Sequence, residues 1–454
     1  MENSFQNAPL AMVSPIYNVG LGVSPVLIGF AMASPRIWEL FLDPMIGVAS
    51  DRTRSRFGRR LPYMVFGLLG CLLLFVAMWW APTGFSKQAL GIWLAVSAFL
   101  FYTFYSFFAI PYAALTIEAT QAGPDRLGVM SARTAFANLS NIAINWLYWC
   151  CQRFRSPVEG MRWVGLAFGI IITACGFAVV FGALRNKGKA IDHSNAAGIA
   201  KGGFRKLFCL KPTWSILVTL LSTMVGFTLV ANLGFYLTAF YACRGDLKLA
   251  AFVTAVKASA ATIAAVLSCP LVGAAAKRLG KDIVFNFMLL LGVVSSLSEW
   301  YLITPVNPYL GMIADLGINV SLVGFWLLMP AYLGDLSDHY EASTGQSCQG
   351  SLSALYGIAV KIGASGALLL TGYVLVFCRF NADMPLHAMT YPILKMRILF
   401  AIIPSIGLAC SFFAMKQFRL AQVFRAESGN ELPTALNPIL PSEHSEFPDQ
   451  SKII

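Results

Sequence analysis

Apolar residues recur along this chain in long runs, with charged residues gathered mainly in the short gaps between them. A helix that crosses the hydrocarbon core of a bilayer needs about 20 predominantly apolar residues. Such runs occupy residues 24–50, 61–82, 88–117, 127–152, 161–184, 212–242, 248–275, 282–303, 308–337, 346–378 and 390–415, and each predicts a membrane-spanning helix. The stretch before residue 24, MENSFQNAPLAMVSPIYNVGLGVS, is weakly apolar and interrupted by Pro9 and Pro15. It predicts the second half of a twelfth span whose beginning is missing.

Composition agrees with that pattern. The 454 residues are 57% hydrophobic and only 12% charged, against about 25% charged in soluble domains, so lipid must cover much of the surface. The net charge of +12 raises the question of nucleic acid, but its distribution answers it. Basic residues cluster at Arg52–Arg60 (RTRSRFGRR), along 185–211, at Lys277, Arg278 and Lys281, and at Lys416, Arg419 and Arg425. If the spans alternate, all four clusters fall on one side, which the positive-inside rule assigns to the cytoplasm. Arg153, Arg155 and Arg162 run against the trend. The expectation is a multi-pass protein of the cell membrane, the inner membrane if bacterial, with both termini cytoplasmic and no nucleic-acid partner.

Residues 185–211 (including RNKGKAIDHSNAAGIAKGG) read as a flexible linker. It separates an N-terminal six-span unit, 1–184 with its first helix incomplete, from a C-terminal one, 212–423. The Pro-, Ser- and Glu-rich remainder, 424–454, reads as a disordered cytoplasmic tail. Two six-span bundles are the architecture of the major facilitator fold, an all-α membrane fold with its solute site near the midplane between the halves. The ten Cys and four His show no metal-ligand spacing, and no nucleophile–base constellation appears. Neither an enzyme nor a metal or prosthetic cofactor is expected.

Charges inside the spans carry the functional signal, because each costs about 2.5–3.5 kcal/mol at the bilayer centre on insertion scales. In PVLIGFAMASPRIWELFLDPMIGVASD, Arg36, Glu39 and Asp43 share one helical face, with Cβ atoms about 5–6 Å apart. Two carboxylates so close repel when ionised, so one holds a proton or both share a cation. A coupling-ion site needs that property; a charge cluster that merely pins the helix is the structural alternative. Lys361, Arg133 and Lys257 are the intramembrane cations that can answer these acids. Lys361 is the deepest, and Arg133 and Lys257 can instead snorkel. Tyr105, Ser106, Asn138, Asn141, Asn145 and Asn232 can bond a hydroxylated solute or a neighbouring helix. Trp326 and Tyr332 can stack on a sugar ring or simply pack.

The loop GVASDRTRSRFGRRLPYM supplies the most specific string. Asp51 followed by arginines can latch neighbouring helices, Gly47 permits a close helix approach and Gly58 a sharp turn. Gly47, Asp51, Arg52, Gly58, Arg59 and Arg60 resemble the loop motif of major facilitators. Together with RIWELFLDP, the segment resembles the glycoside–pentoside–hexuronide:cation symporters, the melibiose permease-like family. The resemblance extends along most of the chain. It implies that Glu39 and Asp43 take the place of the cation-binding acids and that Lys361 is their eleventh-span partner. Ile110, Pro111 and Tyr112 match the fourth-span "IP" and aromatic, Arg133 the fifth-span Arg, Trp326 the tenth-span Trp, and Asp335 and Asp338 the acidic turn that follows it. Lys257 has no family counterpart. Departures are Ala109 and Ala113 where the permease has an Asp and a Trp, Asn3 where a first-span acid is expected, and Leu42 for an Asn beside the sodium site, with Ser106 standing for a Thr ligand.

The expected function is cation-coupled symport, by H+ or Na+, of a sugar, glycoside or hexuronide through alternating access, by a monomer. The cation-coupling residues are Glu39, Asp43, Lys361 and Ser106. The substrate residues are Arg133, Trp326, Tyr105, Lys361 and Asn232, and Arg36, Lys257, Asp335 and Asp338 complete a charge network. The same fold carrying a lipid or drug-like solute, or a non-transporting sensor, are the alternatives.

Overall fold

The computed structural model describes residues 2–53, 55, 57–82, 84–121, 126–185, 211–344, 349–381 and 384–427, and among these no strand occurs. The chain alternates between two ends of a helical bundle. Helix α1 (Glu2–Val13) continues as a π-helix (Ser14–Gly20), followed by α2 (Pro25–Arg52), α3 (Leu61–Trp79), α4 (Lys87–Gln121), α5 (Arg126–Cys151) and α6 (Pro157–Arg185). The second half runs α7 (Lys211–Tyr236, continued by a π-helix Leu237–Ala242), α8 (Leu247–Leu279), α9 (Lys281–Leu302), α10 (Gly311–Thr344), α11 (Gln349–Phe377) and α12 (Thr390–Glu427). The stretch before residue 24, expected as half a span, is thus helical from Glu2 to Gly20. The expected linker and tail lie almost wholly outside the described residues.

Local sequence explains the helix ends. Proline opens α2 and stands in the first turn of α3, where the missing N–H has no intrahelical partner to lose. Asp246 caps α8, its side chain accepting from the backbone N–H of Lys248 and Leu249 at 3.0 Å each. Gly280, at φ 87°, turns α8 into α9 in a conformation that only glycine adopts freely. Several helices outrun their apolar runs: α4 extends past 117, α10 past 337 and α12 past 415. Hydropathy marks where lipid stops, whereas the helix continues into water.

Among the described residues, ten helices are long and apolar enough to cross a membrane. The two below that measure, α1 and α5, pack on each other, so the most polar helices are turned toward one another. Phe5 locks α1 into the N-terminal half, edge-on to Phe75 and Phe101 at 6.1 and 6.0 Å. The halves repeat one another. α2 packs on α4 as α8 packs on α10, and α3 on α4 and α6 as α9 on α10 and α12. Between halves the main packing pairs are α2 with α11 and α5 with α8, which exchange under the same repeat.

We call the end that carries the 53–60 loop the arginine end. The far end is sealed. A Cβ on Gly29 would lie 2.9 Å from the Leu368 carbonyl oxygen, and one on Gly372 2.7 Å from that of Pro25. Beside them Tyr236 donates to Asn18 at 2.9 Å, Trp146 donates to Ser259 at 3.1 Å, and Trp146 meets Phe252 at 5.9 Å. By contrast, a Cβ on Gly47 would sit 3.8 Å from Ile110, ordinary contact, so the close approach expected at Gly47 occurs at Gly29 and Gly372 instead. Gly29→Leu is expected to push α2 off α11 at a cost of about 1–3 kcal/mol, read as a lower unfolding midpoint in detergent. An unchanged midpoint contradicts the close approach.

Candidate functional site

Arg36, Glu39 and Asp43 project from one face of α2 toward α1, α4 and α11. Arg36 Nη1 donates to both Glu39 oxygens at 3.4 Å, and its guanidinium lies 4.2 Å from the centre of the Tyr102 ring on α4. Its other amino group reaches the Gln6 carbonyl of α1 at 3.5 Å, which also accepts from Tyr102 at 3.2 Å. Tyr105 donates to the Gln6 side chain at 3.4 Å, and Ser106 is buried next to it on α4. Glu39 is 1% exposed, so its charge is balanced by protein rather than by water.

That balance comes from two sides. Lys361, on α11 in the opposite half, reaches Glu39 Oε2 at 3.2 Å and also pairs directly with Asp43. The ammonium therefore stands between the two carboxylates, where a metal cation or a proton would otherwise neutralise them. Asp43 Oδ1 is buried without a hydrogen-bond partner among the described residues, an oxygen left over by the lysine.

The network continues to α5. Arg133 pairs with Glu2 at 2.7 Å and lies 5.7 Å from the Tyr112 ring centre. Asn3 donates to Asn141 at 2.7 Å, Asn7 to Asn3 at 2.9 Å, and Ser4 and Ser140 lie 2.6 Å apart. Helices α1, α2, α4, α5 and α11 thus enclose one polar path from Arg133 to Asp43. Along it Arg36, Lys361 and Arg133 offset Glu39, Asp43 and Glu2, so the path is neutral as it stands.

Other residues expected at the site fall elsewhere. Trp326 is exposed on α10, its ring edge-on to Phe325 at 5.5 Å. Asn232 donates to the Thr228 carbonyl at 2.7 Å and lines a small cavity with Gly29, Tyr236 and Thr371 below the far-end seal. Tyr332 is buried and donates to Asp282 at 2.6 Å. Lys257 pairs with Asp315 at 3.0 Å toward the far end. Asp335 pairs with Lys281, joining α10 to α9 at the arginine end, and Asp338 is exposed there. In the loop, Asp51 accepts from Arg60 at 3.2 Å and Thr53 meets Tyr63 at 2.9 Å, tying α2 to α3. Gly58 adopts φ 98°, and Arg52 and Arg59 flank that turn.

Glu2, Gln6 and Tyr102 are the participants that sequence reasoning passed over. Glu2 and Gln6 are one turn apart on α1, a spacing that becomes visible only once the first residues are read as a helix.

A family model described as "MFS/sugar transport protein" matches residues 3–422. The chain belongs to that family. The transporter is 25% identical to an uncharacterized symporter, YnaJ, of Bacillus subtilis (strain 168), over 79% of this chain and 76% of that one. It is 23% identical to the glucuronide carrier protein homolog of Escherichia coli (strain K12), over 80% and 78% respectively. Its fold is similar to that of the nucleoside transporter NupG, with a TM-score of 0.65 at 13% identity over 92% of this chain and 96% of that one.

Removing Lys361 leaves two carboxylates facing each other. Breaking a fully buried pair costs about 3–5 kcal/mol; with the lysine side chain 27% exposed, about 2 kcal/mol is expected for Lys361→Met. The double variant Lys361→Met/Asp43→Asn should lose less than the two single losses added together, because each removes the other's uncompensated charge. Strict additivity in detergent unfolding contradicts the bridge.

Proposed function

We propose that this transporter is a secondary active symporter that carries a sugar, glycoside or hexuronide together with H+ or Na+. One observation carries the reading: Lys361 from one half holds Glu39 and Asp43 of the other. A proton or sodium ion bound at these carboxylates neutralises them and releases the lysine, so ion binding changes what joins the two halves. The resemblance of the chain to relatives named as symporters and as a glucuronide carrier homolog supports the same reading.

With the arginine end in the cytoplasm, as the positive-inside rule assigns it, the far-end seal closes the path on the outer side. Inward movement of one ion charge down the membrane potential supplies about 2.3 kcal/mol per 100 mV. The solute binds along the path between Arg133 and Lys361, with Tyr105, Asn3 and Asn141 as hydrogen-bonding groups. Because that path is neutral in the lysine-bridged state, binding one cation leaves it with one surplus positive charge. A hexuronide carboxylate matches that charge. The solute leaves chemically unchanged, and a single chain holds the whole site, so a monomer suffices.

Uptake of a labelled glucuronide and a labelled neutral glycoside into proteoliposomes tests this. An imposed proton or sodium gradient should raise uptake, and Asp43→Asn should reduce the gradient-driven part at least about tenfold, equivalent to about 1.4 kcal/mol. Uptake indifferent to both gradients and unchanged in Asp43→Asn overturns the proposal.

A further inference from the structure

The C-terminal half contains a buried acid that the coupling path does not use. Glu299, near the far end of α9, is 2% exposed, and neither carboxylate oxygen has a hydrogen-bond partner among the described residues. One turn earlier on the same face, Ser296 is fully buried and its hydroxyl is also unpartnered. Around them stand Lys257 of α8 and Asp315 of α10, paired at 3.0 Å and within electrostatic reach of Glu299. The lysine lies against Gly311, where a Cβ would come within 3.0 Å of its nitrogen, so the missing side chain makes room for the ammonium.

Among the described residues, the remaining charged neighbours do not supply a second cation to Glu299. From α12, Arg397 donates to the Trp300 carbonyl at 2.6 Å and lies over the rings of Tyr241 and Trp300 at 4.3 and 4.5 Å. From the α7–α8 corner come Cys243, which is buried, and Asp246, which is exposed and caps α8. Lys257 and Asp315 already cancel. An ionised Glu299 would therefore leave one negative charge sealed from water, whereas a proton makes the group neutral.

We propose that Glu299, set against the Lys257–Asp315 pair, is a proton-binding site of this transporter, separate from Glu39 and Asp43 and exchanging its proton at the far end. Its placement links it to the seal. Ser259, which holds Trp146 of α5, is two residues from Lys257 on α8. Lys257 also takes in α8 the place that Arg36 takes in α2, each about three turns from the far end. Opening the far end by parting α5 from α8 brings water toward this end of α9, which gives the Glu299 proton its route of exchange. The site does not depend on which ion Glu39 and Asp43 bind.

Infrared spectroscopy of the full chain in lipid, without any solute, tests this through the carbonyl stretch of protonated carboxylic acids. At neutral pH the wild type should show such a band, lost in Glu299→Gln and kept in Glu39→Gln/Asp43→Asn. The band should also be lost at the same pH in Asp315→Asn, where Lys257 is free to pair the ionised carboxylate. A Glu299→Gln spectrum that matches wild type, or a band unaffected by Asp315→Asn, overturns the proposal.

Discussion

Two carboxylates on one face of a buried helix can both be ionised only while positive charge sits between them. In this transporter that charge is Lys361, and it comes from the other half of the molecule. The rest of the site depends on that bridge. Arg36 is held by Glu39 and by the Tyr102 ring, and through the Gln6 carbonyl it ties α2 to α1. Through α1 the network reaches Arg133. A cation or proton that displaces the lysine therefore acts at the joint between halves.

The bridge also explains why the far end is built from contacts of a different kind. There the halves meet through glycine against backbone, at Gly29 and Gly372, and through aromatic rings and single hydrogen bonds at Trp146 and Tyr236. Such contacts separate without stranding a charge. The ionic joint lies deeper, where separation without a replacement cation would strand the buried carboxylates. On the proposed function, that division of labour ties alternating access to an ion.

How much of this was legible in the sequence differs residue by residue. Glu39, Asp43 and Lys361 stood out because ionisable side chains inside apolar runs are rare and their helical spacing is readable. The family motif reinforced them. Glu2 was hidden by the same polarity that makes it useful: Glu2, Asn3, Gln6 and Asn7 depress the hydropathy of α1, which then reads as a fragment rather than as a lining helix. Trp326 and Asn232 lie off the path from Arg133 to Asp43, which the sequence could not show because a residue type reveals neither which way a helix face turns nor which neighbour it meets. Glu299 and Asp315 sit near the ends of apolar runs, where an acid ordinarily marks the membrane boundary, and only packing shows that Glu299 is enclosed.

On the proposed function, ion binding at Glu39 and Asp43 frees Lys361 and lets the halves rearrange. It is tested most directly by the distance between spin labels at Ala49 on α2 and Ser353 on α11, both exposed toward the arginine end, in a cysteine-free background in lipid. The distance distribution should shift when the coupling ion and a glycoside are added together, and Lys361→Met should shift it without the ion. A distribution that is the same with and without ion and solute, and the same in Lys361→Met, contradicts it.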